Sequence, residues 1–472
     1  MWHLTRILLR ILSLLTLLSL TLAPLGHARA HPSPAAVQPL PPTPMWTTAW
    51  DVAVRTAPGD AAPALTRMDL DQELRVTGET TDRVGARWLR VRLWTTLDGY
   101  ARAAALSAAP VVPPYTPTGP PVVPHPAGAH APMPLRATGS ADGPLRLRAG
   151  PDPAAPLLRI IPAGMPLRVT AWATDGTGQA WYRIAAPQPG WGSAGHVALA
   201  RGTARPDLAT VRGLGMWLTP PVLRTAPPEA IVATALRNGL THLYVEVARS
   251  NVGFNDAGIL DRLLPVAHRA HIAIIAWVYP FLDDLPRDVA IALAVARYTT
   301  PDGERPDGLM ADIEQNMGEP YVRAYGQILR AALGPHMLMA ASTYAPQTYY
   351  GQRYPFRAIA ASWDLVVPMD YWDVGPTLRT ASSVYRYVQA SVVGVRAASG
   401  DPQLPVEVLG QTFDLYQNGR HSPAAAEIRA AVAAARDTHA TGISFFEWNH
   451  ATPEEWDALA AGRSGAAADP RW

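Results

Sequence analysis

The sequence predicts a multidomain chain in which two small all-β modules precede an α/β TIM barrel, the (β/α)8 architecture. Three observations predict it. From Val211 onward, apolar β-rich runs alternate with alanine-rich helical stretches, eight times over, as in a parallel sheet closed on itself and covered by helices. Ahead of them, one order of short alternating strands occurs twice, which marks an internal repeat. Proline-rich stretches lie before and between the two copies, in the composition of extended spacers.

The barrel strands are expected at residues 211–218, 242–248, 272–279, 308–314, 338–344, 364–373, 406–414 and 442–448. Helices are expected at 228–238, 257–271, 286–298, 320–333, 356–361, 382–398, 423–438 and 453–461. Several open with proline behind a capping residue, as in Ser422-Pro423 and Thr452-Pro453, because proline's missing N–H costs nothing in a first turn. An open doubly wound sheet would carry fewer strands and a glycine-rich phosphate loop. Neither is present.

The β-module copies run in parallel. The first contains Val52-Ala53-Val54-Arg55-Thr56-Ala57-Pro58, Leu74-Arg75-Val76, Trp88-Leu89-Arg90-Val91 and Gly99-Tyr100. The second contains Leu145-Arg146-Leu147-Arg148-Ala149-Gly150-Pro151, Leu167-Arg168-Val169, Trp181-Tyr182-Arg183-Ile184 and Gly190-Trp191. Trp88 and Trp181 are expected in the cores, while Tyr100 and Trp191 could line a half-exposed groove or pack inside. Residues 1–30 join Arg6 and Arg10 to a short apolar run and to Ala28-Arg29-Ala30, the parts of a secretory signal. A retained membrane anchor is the alternative, but the run is short for a span of roughly 20 residues. The expected order is a signal over 1–30, a tether over 31–45, modules over 46–108 and 134–200, a linker over 109–133, the barrel over 207–463 and a tail over 464–472.

Composition narrows the function classes. Among 472 residues the net charge is +2 and only 17% are charged, so no broad basic field awaits a nucleic acid. There is no cysteine, which excludes disulfides, thiol nucleophiles and cysteine zinc sites. No later segment reads as membrane-spanning, so a soluble protein outside the cytoplasm is expected once the signal is removed.

In such barrels the chemistry gathers at the C-terminal strand ends. Those ends carry Trp217; Glu246, Arg249 and Asn251; Trp277, Tyr279 and Asp283; Asp312 and Glu314; Ser342 and Tyr344; Asp370, Tyr371, Trp372 and Asp373; Gln411 and Asp414; and Glu447, Trp448 and Asn449. Carboxylates, amides and aromatic rings suit a sugar, whose faces stack and whose hydroxyls bond. Phosphate is disfavoured, since arginines and glycine-rich loops are scarce there. No cofactor is expected and no metal: His242 and His271 stand at strand starts, and His450 is alone. Strand four gives the sharpest signal. Residues two apart share a face, so Met310, Asp312 and Glu314 should all point inward, Met310 deepest. Two carboxyls so placed push their pKa values apart, and one can then act as the acid that glycosidic cleavage needs. Alternatively, the pair binds a loop arginine or caps the next helix.

Both β modules resemble bacterial SH3-like domains, in the opening φ-x-φ-R-x-x-P pattern, the W-φ-x-φ strand and the late Gly-aromatic pair. That resemblance implies docking to a cell wall or another polymer, with peptidoglycan the expected partner. The segment Asp307-Gly308-Leu309-Met310-Ala311-Asp312-Ile313-Glu314 resembles the D-G-x-D-x-D-x-E strand of glycoside hydrolase family 18, the chitinase-like enzymes, except that Met310 stands where an aspartate is usual. Met369 and Tyr371 match the family's M-x-Y-D, with Trp372 in place of the aspartate and Asp373 one later. Trp448 could match its strand-eight tryptophan. The barrel also looks like bacterial glycoside-hydrolase-like barrels that accompany SH3-like domains.

The resemblance implies Glu314 as proton donor, Asp312 orienting the substrate's N-acetyl group, Tyr371 assisting it and Trp448 flooring the sugar site. Glu447, Asp373, Asp370, Gln411, Glu246, Trp277 and Tyr344 complete the expected substrate-binding set. Met310 keeps a second scheme open, in which Glu314 is the acid and Asp373, Asp414 or Glu447 the nucleophile or base. It also keeps open a non-catalytic carbohydrate-binding barrel and a purely structural surface protein.

Overall fold

The computed structural model describes residues 36–48, 52–68, 73–92, 98–109, 130–202, 204–372, 380–413 and 423–466. The expected signal, most of the linker and much of the tail lie outside these residues, as do Asp373 and Asp414. The chain divides into two compact units, the first β module alone and the second β module together with the barrel.

Each β module is a seven-stranded antiparallel sheet, and the strand order of the first is repeated, strand for strand, in the second. A shared clamp explains part of that. In the first module the Trp88 indole N–H donates to Asp82 at 2.9 Å, while the amides of Val84 and Ala86 donate to the other carboxylate oxygen. In the second, Trp181 donates to Asp175 at 2.9 Å, and the amides of Thr177 and Gln179 complete the set. Each aspartate thus ties a hairpin turn to the buried tryptophan behind it. Trp88 and Trp181 are both core residues. Tyr100 is half-buried, whereas Trp191 is buried against Trp181.

The first module begins earlier than its composition suggests. Residues 38–45, expected to be tether, belong to the strand Gln38–Thr47, which pairs with Glu73–Thr81. On its other side only Trp46 and Thr47 are paired. Pro39, Pro41, Pro42 and Pro44 therefore lie on a stretch that is effectively an edge, where a missing N–H is tolerated, and the register breaks between Pro39 and Thr43.

The barrel strands are Gly213–Leu218, His242–Arg249, Ala273–Tyr279, Gly308–Asp312, Leu338–Tyr344, Leu365–Met369, Glu407–Gln411 and Gly442–Phe446. They are parallel and paired in sequence order, and the first pairs with the last and with the second, which closes the ring. Apolar residues on both faces account for near-continuous burial along each strand, as a sheet covered by helices requires. The inner layer is one cluster containing Trp217, Tyr244, Trp277, Met310, Ala340, Val367 and Leu409.

At the base of the barrel, His242 Nε2 lies 3.1 Å from Glu407, and the Tyr244 hydroxyl donates to the same carboxylate at 2.7 Å. All three are fully buried. Gly215 makes room for them: a Cβ there would lie 2.2 Å from His242 Nε2. Trp217 stacks on Tyr244 at 4.5 Å and separates this network from the upper barrel.

The second β module is fastened to the barrel. Its Tyr182 hydroxyl donates to Gln327 at 3.1 Å, and the Gln327 amide donates back to the Val197 carbonyl at 3.1 Å. Gln327 belongs to helix Glu319–Leu333, which follows strand four. Arg201 donates to the carbonyls of Ala360 and Trp363 and pairs with Asp364, which Arg330 also grips. The module's apolar core runs into the barrel's outer core as one cluster. No helix among the described residues is long and apolar enough to cross a membrane.

Candidate active site

Strand pleat decides what reaches the mouth. Register neighbours on parallel strands point the same way, so the inner face can be followed around the ring. Glu246 is in register with Trp277, Trp277 with Met310, Asp312 with Ser342, and Gln411 with Phe446. Met310 is fully buried in the inner layer, Asp312 is 6% exposed above it, and Glu314 is half-buried just past the strand end.

Asp312 and Glu314 act on each other. Burial raises the Asp312 pKa well above the ordinary carboxylate value, the charge of Glu314 adds to this, and Arg249 opposes it. Glu314 is raised by burial too, though the Tyr344 hydroxyl, donating at 3.1 Å, and the Arg249 charge hold it back. The pair therefore keeps a proton to higher pH than isolated carboxyls would, and titrates as a unit.

Around the pair stand groups with unmet hydrogen-bonding capacity. Glu246 Oε2 and Trp277 Nε1 are buried with no partner among the described residues, and beside them Asp312 and the Ser342 hydroxyl face each other. They come from four consecutive strands and share the inner face. Buried polar atoms are almost always paired, so the unpaired Glu246 and Trp277 atoms beside this pair of acids fit a polar ligand. Glu246's other oxygen binds Arg249, whose guanidinium lies 5.3 Å from the Tyr279 ring centre.

Aromatic rings gather on the same face. Phe446 lies 6.1 Å from Trp277, 6.3 Å from Tyr371 and 6.0 Å from Phe413. Burial raises the Tyr371 pKa well above the usual value, and the charges of Asp312 and Glu314 add to it. Tyr354 donates to the Ile313 carbonyl at 2.9 Å and fixes the backbone between the two acids.

Of the residues expected in the site, Glu246, Trp277, Asp312, Glu314, Tyr344, Tyr371 and Gln411 come together on or next to the inner face. Others do not. Trp448 is not the floor: strand eight ends at Phe446, and Trp448 lies in the following turn against Trp456 at 5.0 Å. Asp370 points outward, since Met369 on the same strand faces the inner cluster. It is fully buried, faces Ser391 of the helix outside, and burial raises its pKa. Glu447 accepts from the Thr219 hydroxyl at 2.6 Å and pairs with His450 at 3.2 Å in the turn beyond strand eight. Asp307 is a structural brace: it binds His268 at 3.0 Å and the Ile274 amide at 2.7 Å.

The sequence left Arg249, Tyr279, Tyr354, Phe413 and Phe446 unassigned. Arg249 and Tyr279 carried a signal, as strand-end residues, while Phe413 and Phe446 differ from their neighbours only in pleat phase. No group of three or more metal-ligating side chains occurs among the described residues.

No protein-family model and no curated protein matches the chain. It is similar to the solved structure of a chitinase from Chromobacterium violaceum, with 12% identity and a TM-score of 0.41 over 53% of this chain and 98% of that one. It is also similar to a family GH18 chitinase from Cycas revoluta in complex with allosamidin, at 16% identity and a TM-score of 0.40 over 54% of this chain and 99% of that one. A third likeness is to the Bacillus cereus spore cortex-lytic enzyme, at 12% identity and a TM-score of 0.42 over 55% of this chain and 75% of that one.

Proposed function

We propose that this protein is a secreted glycoside hydrolase that cleaves an N-acetylated polysaccharide of the chitin or peptidoglycan kind, with Glu314 as general acid. The buried Asp312–Glu314 pair carries the proposal, because burial raises both acids above the ordinary carboxylate value, so the pair keeps a proton to higher pH than an isolated carboxyl would, at the C-terminal end of the barrel strands. Glu314 gives that proton to the glycosidic oxygen as the bond breaks, and the leaving sugar departs as an alcohol. The substrate's own acetamido oxygen bonds to the anomeric carbon, while Asp312 holds the acetamido group and the pair's negative charge balances the developing positive charge. Water then attacks the anomeric carbon, loses its proton to Glu314 and releases the acetamido oxygen. Tyr371 supports the acetamido group, and Trp277 and Phe446 stack the ring. This is the substrate-assisted route, an exception to the two-carboxylate scheme.

The two β modules differ in this scheme. The second is occupied by the barrel along its Tyr182 face, so wall attachment falls chiefly to the first.

A non-catalytic carbohydrate-binding barrel is the second reading. Met310 favours it, because it is fully buried among apolar side chains and leaves Asp312 no acid beneath it on its own strand to share a proton. Reducing-end release from chitin oligomers and peptidoglycan decides between them. Glu314→Gln should lower the rate by about 10²–10⁴-fold while sugar binding persists. A wild-type protein that binds these polymers and releases nothing from them would leave only the binding reading.

A further inference from the structure

We propose that Tyr350 and Tyr349 form an outer glycan platform, which extends the cleft from Glu314 along the strand-five side and makes the protein prefer a polymer to a short oligomer. The proposal rests on the glycan-cleft reading above. It starts from Tyr344, whose hydroxyl is bonded to Glu314. The Tyr344 ring lies 5.0 Å from that of Tyr350, tilted by 37°, and Tyr350 lies 5.2 Å from Tyr349 at 79°. Three rings thus touch in succession, from the acid's partner to the surface. Tyr350 is 50% exposed and Tyr349 65%, so the row ends open to solvent, with Tyr349 standing as a wall beside the Tyr350 face.

The turn that carries them is rigid. Thr348 donates to the Ala345 carbonyl through its amide at 2.9 Å and its hydroxyl at 2.7 Å, and the Gly351 amide donates to the Thr348 hydroxyl at 3.1 Å. A Cβ at Gly351 would lie 1.7 Å from the Ala345 carbonyl oxygen, so only glycine permits this close approach. Arg353 donates to the Tyr349 hydroxyl at 3.2 Å and lies 4.9 Å from its ring centre, which sets that ring's orientation. Fixing the rings before binding removes an ordering cost from the complex. Tyrosine faces are electron-rich and suit the C–H face of a pyranose, while the phenol rims bond its hydroxyls.

The test uses the full chain carrying Glu314→Gln, so that substrate is held without turnover, and titrates a chitin trimer and hexamer by calorimetry. Tyr350→Ala should weaken hexamer binding by about five- to tenfold and bring the hexamer-to-trimer affinity ratio toward one. Tyr349→Ala should do the same more weakly, and Tyr350→Phe should restore the ratio. Melting curves confirm that each variant is folded. If the hexamer binds the parent and the double alanine variant equally well, the platform is wrong and the cleft reading stands. If neither oligomer binds the parent, both fall.

Discussion

The two ends of the barrel interior each bury a carboxylate, and they treat it in opposite ways. At the base, Glu407 receives the Tyr244 hydroxyl at 2.7 Å and faces His242 at 3.1 Å, all three fully enclosed. At the mouth, burial drives the Asp312 pKa upward and a second acid as neighbour adds to it, against the weaker opposing pull of the Ser342 hydroxyl. The same side-chain chemistry serves as a brace where its hydrogen bonds are closed within the fold, and as a reactive group where a second acid stands beside it. Trp217 lies between the two regions, stacked on Tyr244 below and 4.8 Å from Trp277 above, so each environment is set separately.

The largest stability effect should come from the base. Glu407→Ala strands the Tyr244 hydroxyl and the His242 ring in a sealed space and should cost about 3–5 kcal/mol in denaturant unfolding. A loss no greater than that of an exposed substitution would erase the contrast.

Asp370 sharpens the contrast from a third side. It is as buried as Glu407, yet the Ser391 hydroxyl is the one group that favours its ionised form, and burial outweighs it. Its pKa is raised by burial, so the folded state resists ionisation that the unfolded chain accepts freely. That penalty is absent below the ordinary carboxylate range and grows as pH rises above it. Asp370→Leu should therefore add about 1–3 kcal/mol of stability near neutral pH, with the gain shrinking in acid. Urea midpoints across pH would show it, and a variant destabilised at neutral pH would mean that Asp370 has an essential partner.

Arg249 tests the mouth alone. Its charge favours the ionised form of Glu314, so removing it should let the acid keep its proton to higher pH. Arg249→Ala is expected to move the alkaline limb of kcat/KM upward. A limb that stays in place or moves down would mean that Arg249 does not tune the acid.

Much of this was legible in the sequence, for physical reasons. Strands buried on both faces must be continuously apolar, so the eight runs stood out, and pleat period placed Met310, Asp312 and Glu314 on one inner face. The same period, carried through strand six, puts Met369 and Tyr371 inside and Asp370 outside. Asp370 therefore lies off the site although it neighbours Tyr371 in sequence. Trp448 departs for another reason: strand eight stops at Phe446 and the chain turns at once into the short helical turn Trp448–His450, which sets the ring against Trp456. The tyrosines at 349 and 350 had no periodicity to reveal them, since they lie on a turn held by Thr348 and Gly351. The strand over 38–45 was hidden by prolines that an edge can carry.

The most direct test of the two-ended barrel sets Glu314→Gln beside Glu407→Gln, measuring chitin-hexamer hydrolysis per folded molecule and thermal melting in the same samples. Glu314→Gln should abolish nearly all hydrolysis and melt no lower than wild type, while Glu407→Gln should melt lower and hydrolyse at the wild-type rate. A Glu314→Gln protein that still hydrolyses normally, or that loses as much thermal stability as Glu407→Gln, would contradict the account.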